Sequence, residues 1–195
     1  MNVGLSIDFF FVDGIAFFHT ISNDIQFRRI DTPKSHNKQC IIIWLKKVIQ
    51  TYQARGFNIG TIYGNDEFDC LRNDFRPTTF DIATPGQRVP RAERSIRTIK
   101  DGTRCAVLDL TYIYWTKLMT KSYFRYKVLT LNSFPSQVGV SSELRPANIV
   151  LGSFILDNKH FSIDSGAYAI VHHENATNTN LSPGHTSDCS RAIRE

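Results

Sequence analysis

The sequence predicts an α/β fold, and three observations carry that prediction. Apolar, strand-like runs separated by turn signals fill the stretch from Leu5 to Ile30. The period then changes to that of an amphipathic helix between about Ser35 and Arg55. Alternation returns from Phe57 to Tyr63, so a strand leaves a helix, the pattern of an α/β layer. At 195 residues the chain has about the length of one ordinary domain.

Leu5 to Val12 is apolar with a single acid, Asp8, near its middle. Asp13-Gly14 is a two-residue hairpin signal leading into Ile15 to Ile21. Ser22-Asn23-Asp24 makes a second turn before Ile25 to Ile30, whose partial alternation suits a half-buried strand near an edge. In the helical stretch, Ile41, Ile42, Leu45, Val48, Ile49 and Tyr52 share one face, with Lys46, Lys47 and Gln50 opposite and Gly56 at the stop. A polar knot at Gly64 to Asp69 precedes a short helix through Leu71 and Phe75. Thr78 to Thr84 reads as a further strand, broken by Pro85-Gly86. Two helices follow, from near Pro90 to about Cys105 and from about Leu110 to Leu131. Beyond them a helical turn is expected at Pro146 to Gly152 and a short strand at Gly166 to Val171. The stretch from about Asn175 onward has no periodicity and reads as a mobile tail.

Composition narrows the class. Apolar residues make up 42%, enough for a packed core and too many for wholesale disorder. No uncharged apolar run approaches the ~20 residues of a membrane span. The Phe-rich opening is interrupted by Asp8 and Asp13 and has no basic leader, so it does not read as a signal peptide. Cys40, Cys70, Cys105 and Cys189 are scattered without a CxxC pair, which argues for reduced thiols in an intracellular protein rather than a disulfide framework or zinc site. The His172-His173 pair and the Asn175-Ala176-Thr177 sequon read as solvated loop. A net charge of +5 tolerates a polyanionic partner without demanding one.

The acids are more informative. Asp8 occupies a strand position where an apolar residue would cost less, because a buried carboxylate needs a partner or a metal. Asp66, Glu67 and Asp69 follow the end of the fourth strand, and Glu93 opens a helix crowded with bases. Acids from a central strand, a neighbouring strand end and a helix can converge on one sheet edge and hold Mg²⁺ through hard oxygen ligands. Plainer readings stand beside this one: Asp8 as an arginine partner, the cluster as a solvated turn, Glu93 as a helix N-terminal acid. The segment Gly86 to Arg104 holds six Arg or Lys and two acids, a net +4 of the chain's +5. Glu93, Arg97, Lys100 and Arg104 share a helical face there. Bases that hold phosphates beside a metal-binding carboxylate are what phosphodiester chemistry needs; a solvated basic helix is the plain alternative.

These residues carry a resemblance. Ile7 to Phe18, reading IDFFFVDGIAFF, resembles the opening of integrase cores of copia-type LTR retrotransposons, in particular the diatom and algal branch. Glu93 to Lys100, ERSIRTIK, is similar to that branch's ER-x-IR-x-(I/V)-K signature. Leu131 to Pro135, Gly139 to Ser141, Pro146 with Ile149 to Gly152, and Gly166 to Tyr168 continue it in order, over roughly residues 3 to 175. The resemblance implies a ribonuclease H-like fold, a central mixed five-stranded sheet flanked by helices. It implies a D,D,E-type site with two Mg²⁺ or Mn²⁺ ions, and trimming and joining of retroelement DNA ends into target DNA. Asp8 matches the first carboxylate and Glu93 the third. On this basis the catalytic and metal residues are Asp8, Asp66 and Glu93, and the nucleic-acid-binding set is Arg94, Arg97, Lys100 and Arg104. DNA and further copies of the chain are the implied partners, no membrane is involved, and the location is the nucleus or a cytoplasmic virus-like particle.

The second carboxylate departs from the pattern. The family has an Asp three residues before a Phe, and Asn65 stands there, with Asp66 one step later. Asn offers an oxygen without charge, and a one-residue shift in an extended segment turns Asp66 to the opposite face unless the strand has already ended. Gln87-Arg88 and Arg91 also replace residues that the pattern has as acid-histidine and acid. The expectation is a polyprotein piece from a drifting copy, with a core at 1–135, a C-terminal extension at 136–175 and a disordered tail at 176–195. The alternatives are a catalytically inactive remnant that only binds nucleic acid, and a globular domain whose basic helix faces solvent.

Overall fold

The computed structural model describes residues 1–33, 35, 37–84, 87, 89–108 and 116–152. Its centre is a five-stranded sheet of order β3-β2-β1-β4-β5. β1 (Asn2–Val12) and β2 (Ile15–Ser22) form a hairpin closed by Asp13 and Gly14, both at positive φ, 51° and 71°. Asn/Asp-Gly pairs supply this geometry at least cost. β3 (Arg28–Asp31) continues the antiparallel set on β2. β4 (Asn58–Gly64) lies parallel to β1 and β5 (Thr79–Ile82) parallel to β4, so the sheet is mixed.

β1 is buried on both sides, and its alternation divides two cores. Val3, Leu5 and Ile7 face a cluster with Ile41, Trp44, Leu45, Val48 and Tyr52 of α1 (Lys38–Gln53), joined by Phe68, Leu71 and Phe75. Phe10 belongs to the opposite cluster with Phe17, Ile30, Ile96, Ile99, Phe124 and Val128. That second layer is α2 (Pro90–Leu108) and α3 (Lys117–Asn132), α2 lying on β1 and β2 and α3 on β3.

The elements follow the sequence with local corrections. α1 starts at Lys38, because the Asn37 side chain accepts the Cys40 N–H at 2.9 Å and makes Asn37 the N-cap. Gly56, at φ 76°, lies just past its end. The stretch from Ile25 is not strand until Arg28. Ser22 N–H donates to Phe27 O (3.0 Å) and Gln26 N–H to Ser22 O (3.1 Å), closing residues 22–27 into a turn with Gln26 at φ 64°. Ile25 and Phe27 are still buried, so their apolar character serves turn packing. The short helix after β4 is a 3-10 helix, Asp66–Phe75, whose three-residue turn sets Phe68 and Leu71 on one inward face. α3 begins at Lys117 because Thr116 is an extended N-cap whose hydroxyl accepts the Met119 N–H. α4 (Pro146–Leu151) lowers Val150 into the first core. The strand expected at Gly166 to Val171, the tail at 176–195 and most of the extension at 136–175 lie outside the described residues.

β3 is a sheet edge, and α3 closes it. The Asn132 side-chain amide donates to Arg28 O at 2.7 Å and accepts from Arg28 N–H at 2.9 Å, as a paired strand residue would. Replacing Asn132 with Ala leaves both backbone groups without that partner, at about 1–3 kcal/mol. Thermal unfolding should show a Tm lowered by roughly 2–4 °C for each kcal/mol of stability removed; an unchanged Tm would show that the amide contributes nothing.

Candidate metal and nucleic-acid site

Asp8 sits on the same side of β1 as Phe10, facing the α2 layer, and is half-buried. Its Oδ1 accepts the Phe9 N–H at 2.8 Å. Across the hairpin its register partner is His19. On the other flank the last pair is Ser6 with Tyr63, so two residues further Asp8 comes level with Asn65. Backbone conformation decides which way Asn65 turns. Gly64 belongs to the first-core side, where a Cβ would stand 2.9 Å from Phe68 Cδ2 and 3.3 Å from Ile7 Cγ1. Asn65 is still extended (φ −83°, ψ 177°), so alternation carries its side chain to the side of Asp8. Its Oδ1 is buried and has no hydrogen-bond partner.

Asp66 opens the 3-10 helix one step later and is exposed, as are Glu67 and Asp69. Asp69 is engaged by Arg72 at 2.8 Å. Glu93 stands in the first turn of α2, its side chain 34% exposed, with the Arg97 guanidinium 4.0 Å from Oε1. Among the described residues no three His, Cys, Asp or Glu side chains gather as a metal-holding group. By sheet register Asp8, a carboxylate, and Asn65, a neutral amide oxygen, are level with one another. That pair carries a single negative charge, and a two-metal site needs further carboxylate charge, such as Glu93 or Asp66 would supply, to offset its ions.

The bases lie on α2 as the 3/4 spacing requires. Ala92, Ile96, Ile99 and Thr103 form its buried stripe. Glu93, Arg97, Lys100 and Arg104 run along the adjoining stripe, about a quarter-turn away. Arg94, Arg97 and Arg104 are exposed. Lys100 is half-buried, its ammonium 5.3 Å from the centre of the Phe10 ring, so its stem covers the core while its charge stays at the rim. Arg104 reaches Asp101 at 3.2 Å, an exposed pair that holds it weakly.

Two polar features of this layer have little or no signature in the sequence. Arg91 donates to the Asn23 carbonyl, and Gln26 Nε2 donates to the same oxygen at 2.8 Å. Where the resemblance has an acid, this chain has a base that fastens α2 to the β2–β3 turn. The second feature is a hydrogen-bond chain through His19, which is fully buried. His19 Nδ1 lies 3.2 Å from Arg29 O, and a carbonyl only accepts, so Nδ1 carries the hydrogen. Nε2 then accepts from Ser95 Oγ at 3.0 Å, while Ser95 Oγ accepts from Arg28 Nε at 3.1 Å. The chain joins β2, β3 and α2, and locks the α2 turn that follows Glu93. Its only sequence signal is a histidine at an inward strand position between Phe17 and Ile21.

No family model matches the chain, and no curated protein matches it. Solved structures do: 296 chains match. One is the catalytic core domain of BIV integrase, with a TM-score of 0.52 and 13% identity over 76% of this chain and 93% of that chain. At that identity the likeness is one of fold. The five-stranded mixed sheet with its flanking helices is a ribonuclease H-like fold, the fold of that core domain. Among the described residues no helix is long and apolar enough to cross a membrane.

The buried histidine and the crowded glycine each have a measurable consequence. Burial, then the Arg28 cation, push the His19 pKa from 6.5 down to about 3. Below 6.5 the unfolded chain takes up a proton that the folded chain refuses until about 3, so this contribution is whole above 6.5 and lost as pH falls through that window. Denaturant midpoints should decline less steeply across it in His19→Gln than in the wild type; parallel declines would remove His19 as the source. Gly64→Ala forces Phe68 or Ile7 to shift and should destabilise the chain by about 1–3 kcal/mol, the usual cost of overpacking. A denaturation midpoint equal to that of the wild type would contradict the close approach.

Proposed function

We propose that this chain is the core domain of a copia-type retroelement integrase that holds DNA along α2 and is one carboxylate short of the D,D,E site. The observation behind it is the α2 stripe, where Arg97, Lys100 and Arg104 follow Glu93 on the layer that Asp8 faces. Fixed bases at that spacing suit consecutive phosphates and release their counterions. Asn65 beside Asp8 supports the second half of the proposal, because an amide supplies no charge to a pair of divalent ions. Origin in a polyprotein, drift of the copy, self-association, and residence in the nucleus or a virus-like particle belong to the same proposal.

One observation favours a second reading, an active enzyme using Mg²⁺ or Mn²⁺. The unpartnered, buried Asn65 Oδ1 is an oxygen at the position a ligand would take. An exposed Asp66 would then have to supply the missing charge.

Strand-transfer and nicking assays in Mg²⁺ or Mn²⁺ separate the two. The expected result is no activity from the wild type and activity restored by Asn65→Asp. Wild-type activity would establish the second reading, and inactivity of both proteins would leave DNA binding alone. Binding itself is expected to be salt-sensitive and indifferent to divalent metal. Charge reversal at Arg97 and Lys100 should weaken it and flatten the slope of log affinity against log salt by about 0.9 for each phosphate no longer neutralised. A slope unchanged by the reversal would remove α2 as the binding surface.

A further inference from the structure

We propose that the open face of β4 and β5 beside Asp8 is a hydroxyl-lined contact surface for DNA, with Tyr63 as its anchor. It rests on the DNA-binding reading above, since the DNA is that held along α2. Alternation defines the face. Ile62 and Phe80 belong to the first core, so Thr61 and Tyr63 of β4 and Thr79 and Asp81 of β5 point to the other side, that of Asp8. Register sets them in rows: Gly4, Thr61 and Thr79, then Ser6, Tyr63 and Asp81, with Asp8 and Asn65 in the next. α2 lies on β1 and β2 and α3 on β3, so among the described residues no helix covers β4 and β5 there. Thr79 and Asp81 are exposed, and Thr61 and Tyr63 are half-buried.

Tyr63 is held in place without a ligand. A Cβ on Gly4 would stand 3.1 Å from Tyr63 Cε2 and 3.0 Å from Asn23 Nδ2, so the ring uses room that glycine leaves. The Asn23 side chain accepts from Ser6 Oγ at 2.7 Å, and its carbonyl accepts from Arg91 of α2. The ring is thus braced against the same turn that fastens α2, which sets its place relative to the basic stripe. The Thr61, Tyr63 and Thr79 hydroxyls make no hydrogen bond among the described residues, so three donors are available. Strands lie about 4.8 Å apart, so the floor from β1 to β5 is about 10 Å across. A groove about 12 Å wide separates the two backbones of a duplex. With one backbone on the α2 stripe, the other falls on this floor, where hydroxyls donate to phosphate and sugar oxygens without neutralising them. In the first two rows only Asp81 carries a charge, and it repels that backbone.

The test is duplex affinity measured across a salt series. Tyr63→Ala should weaken binding about fivefold or more, the ratio that about 1 kcal/mol of hydrogen bonding gives. The slope of log affinity against log salt should stay unchanged, because the lost contact neutralises no phosphate. Should that variant fail to fold by circular dichroism, Tyr63→Phe keeps the ring beside Gly4 and should still weaken binding about threefold. Asp81→Asn should tighten binding about twofold. Gln53→Lys makes the same change of charge at an exposed position of α1, across the sheet, and should not. Wild-type affinity in the Tyr63 variants, a flattened slope in them, or equal tightening by Asp81→Asn and Gln53→Lys overturns the inference and leaves DNA binding along α2 standing. Failure of the wild type to bind the duplex overturns both.

Discussion

The structure depends on one strand being buried on both faces. β1 pairs antiparallel with β2 and parallel with β4, and each of its faces meets a separate core. Val3, Leu5 and Ile7 are buried on one face and Phe10 on the other, at about 1.5–3 kcal/mol each, so a slipped register of β1 is strongly disfavoured. That rigidity gives Asp8 its meaning. A carboxylate at an even position of such a strand must face the α2 layer, level with His19 on one side and Asn65 on the other. A slip of one residue would exchange every core side chain of β1 for its neighbour, and Asp8 for Ile7.

The second layer is seated by polar contacts as well as by its apolar stripe. The chain from Arg28 through Ser95 to His19, the Arg91 contact to Asn23, and the Asn132 clasp on Arg28 each tie a helix to a strand or turn. Buried hydrogen bonds are directional and costly to leave unmade, so they fix rotation and translation where packing alone tolerates small shifts. Together they hold α2 with Glu93, Arg97, Lys100 and Arg104 turned away from the core and along one rim. The fold thus sets Arg97, Lys100 and Arg104 in line on α2, the layer that Asp8 faces.

The strands and helices were legible because hydrophobic period is a local property. The Asp13-Gly14 hairpin, the α1 stripe from Ile41 to Tyr52 and the strand from Asn58 to Gly64 are visible in consecutive residues. Boundaries were less legible where a cap or a turn overrides composition. Asn37 and Thr116 fix the helix starts by accepting the N–H three residues on, and the turn at Ser22 to Phe27 buries Ile25 and Phe27 without making them strand. The α2 stripe was legible for the same reason as the core, since 3/4 spacing places charges as well as it places apolar groups.

What the sequence determined by itself is the fold class, the order of the elements and the basic face of α2, all of which depend on neighbours in the chain. Tertiary structure alone decided the rest. His19 meets Ser95 across 76 residues of chain, and Asn132 meets Arg28 across 104. Asn65 comes level with Asp8 through the parallel register of β4 on β1. Contacts of that separation leave no periodic trace. They are set by which strands pair and in what register, and that is fixed by the summed burial of both cores rather than by any residue's own neighbourhood.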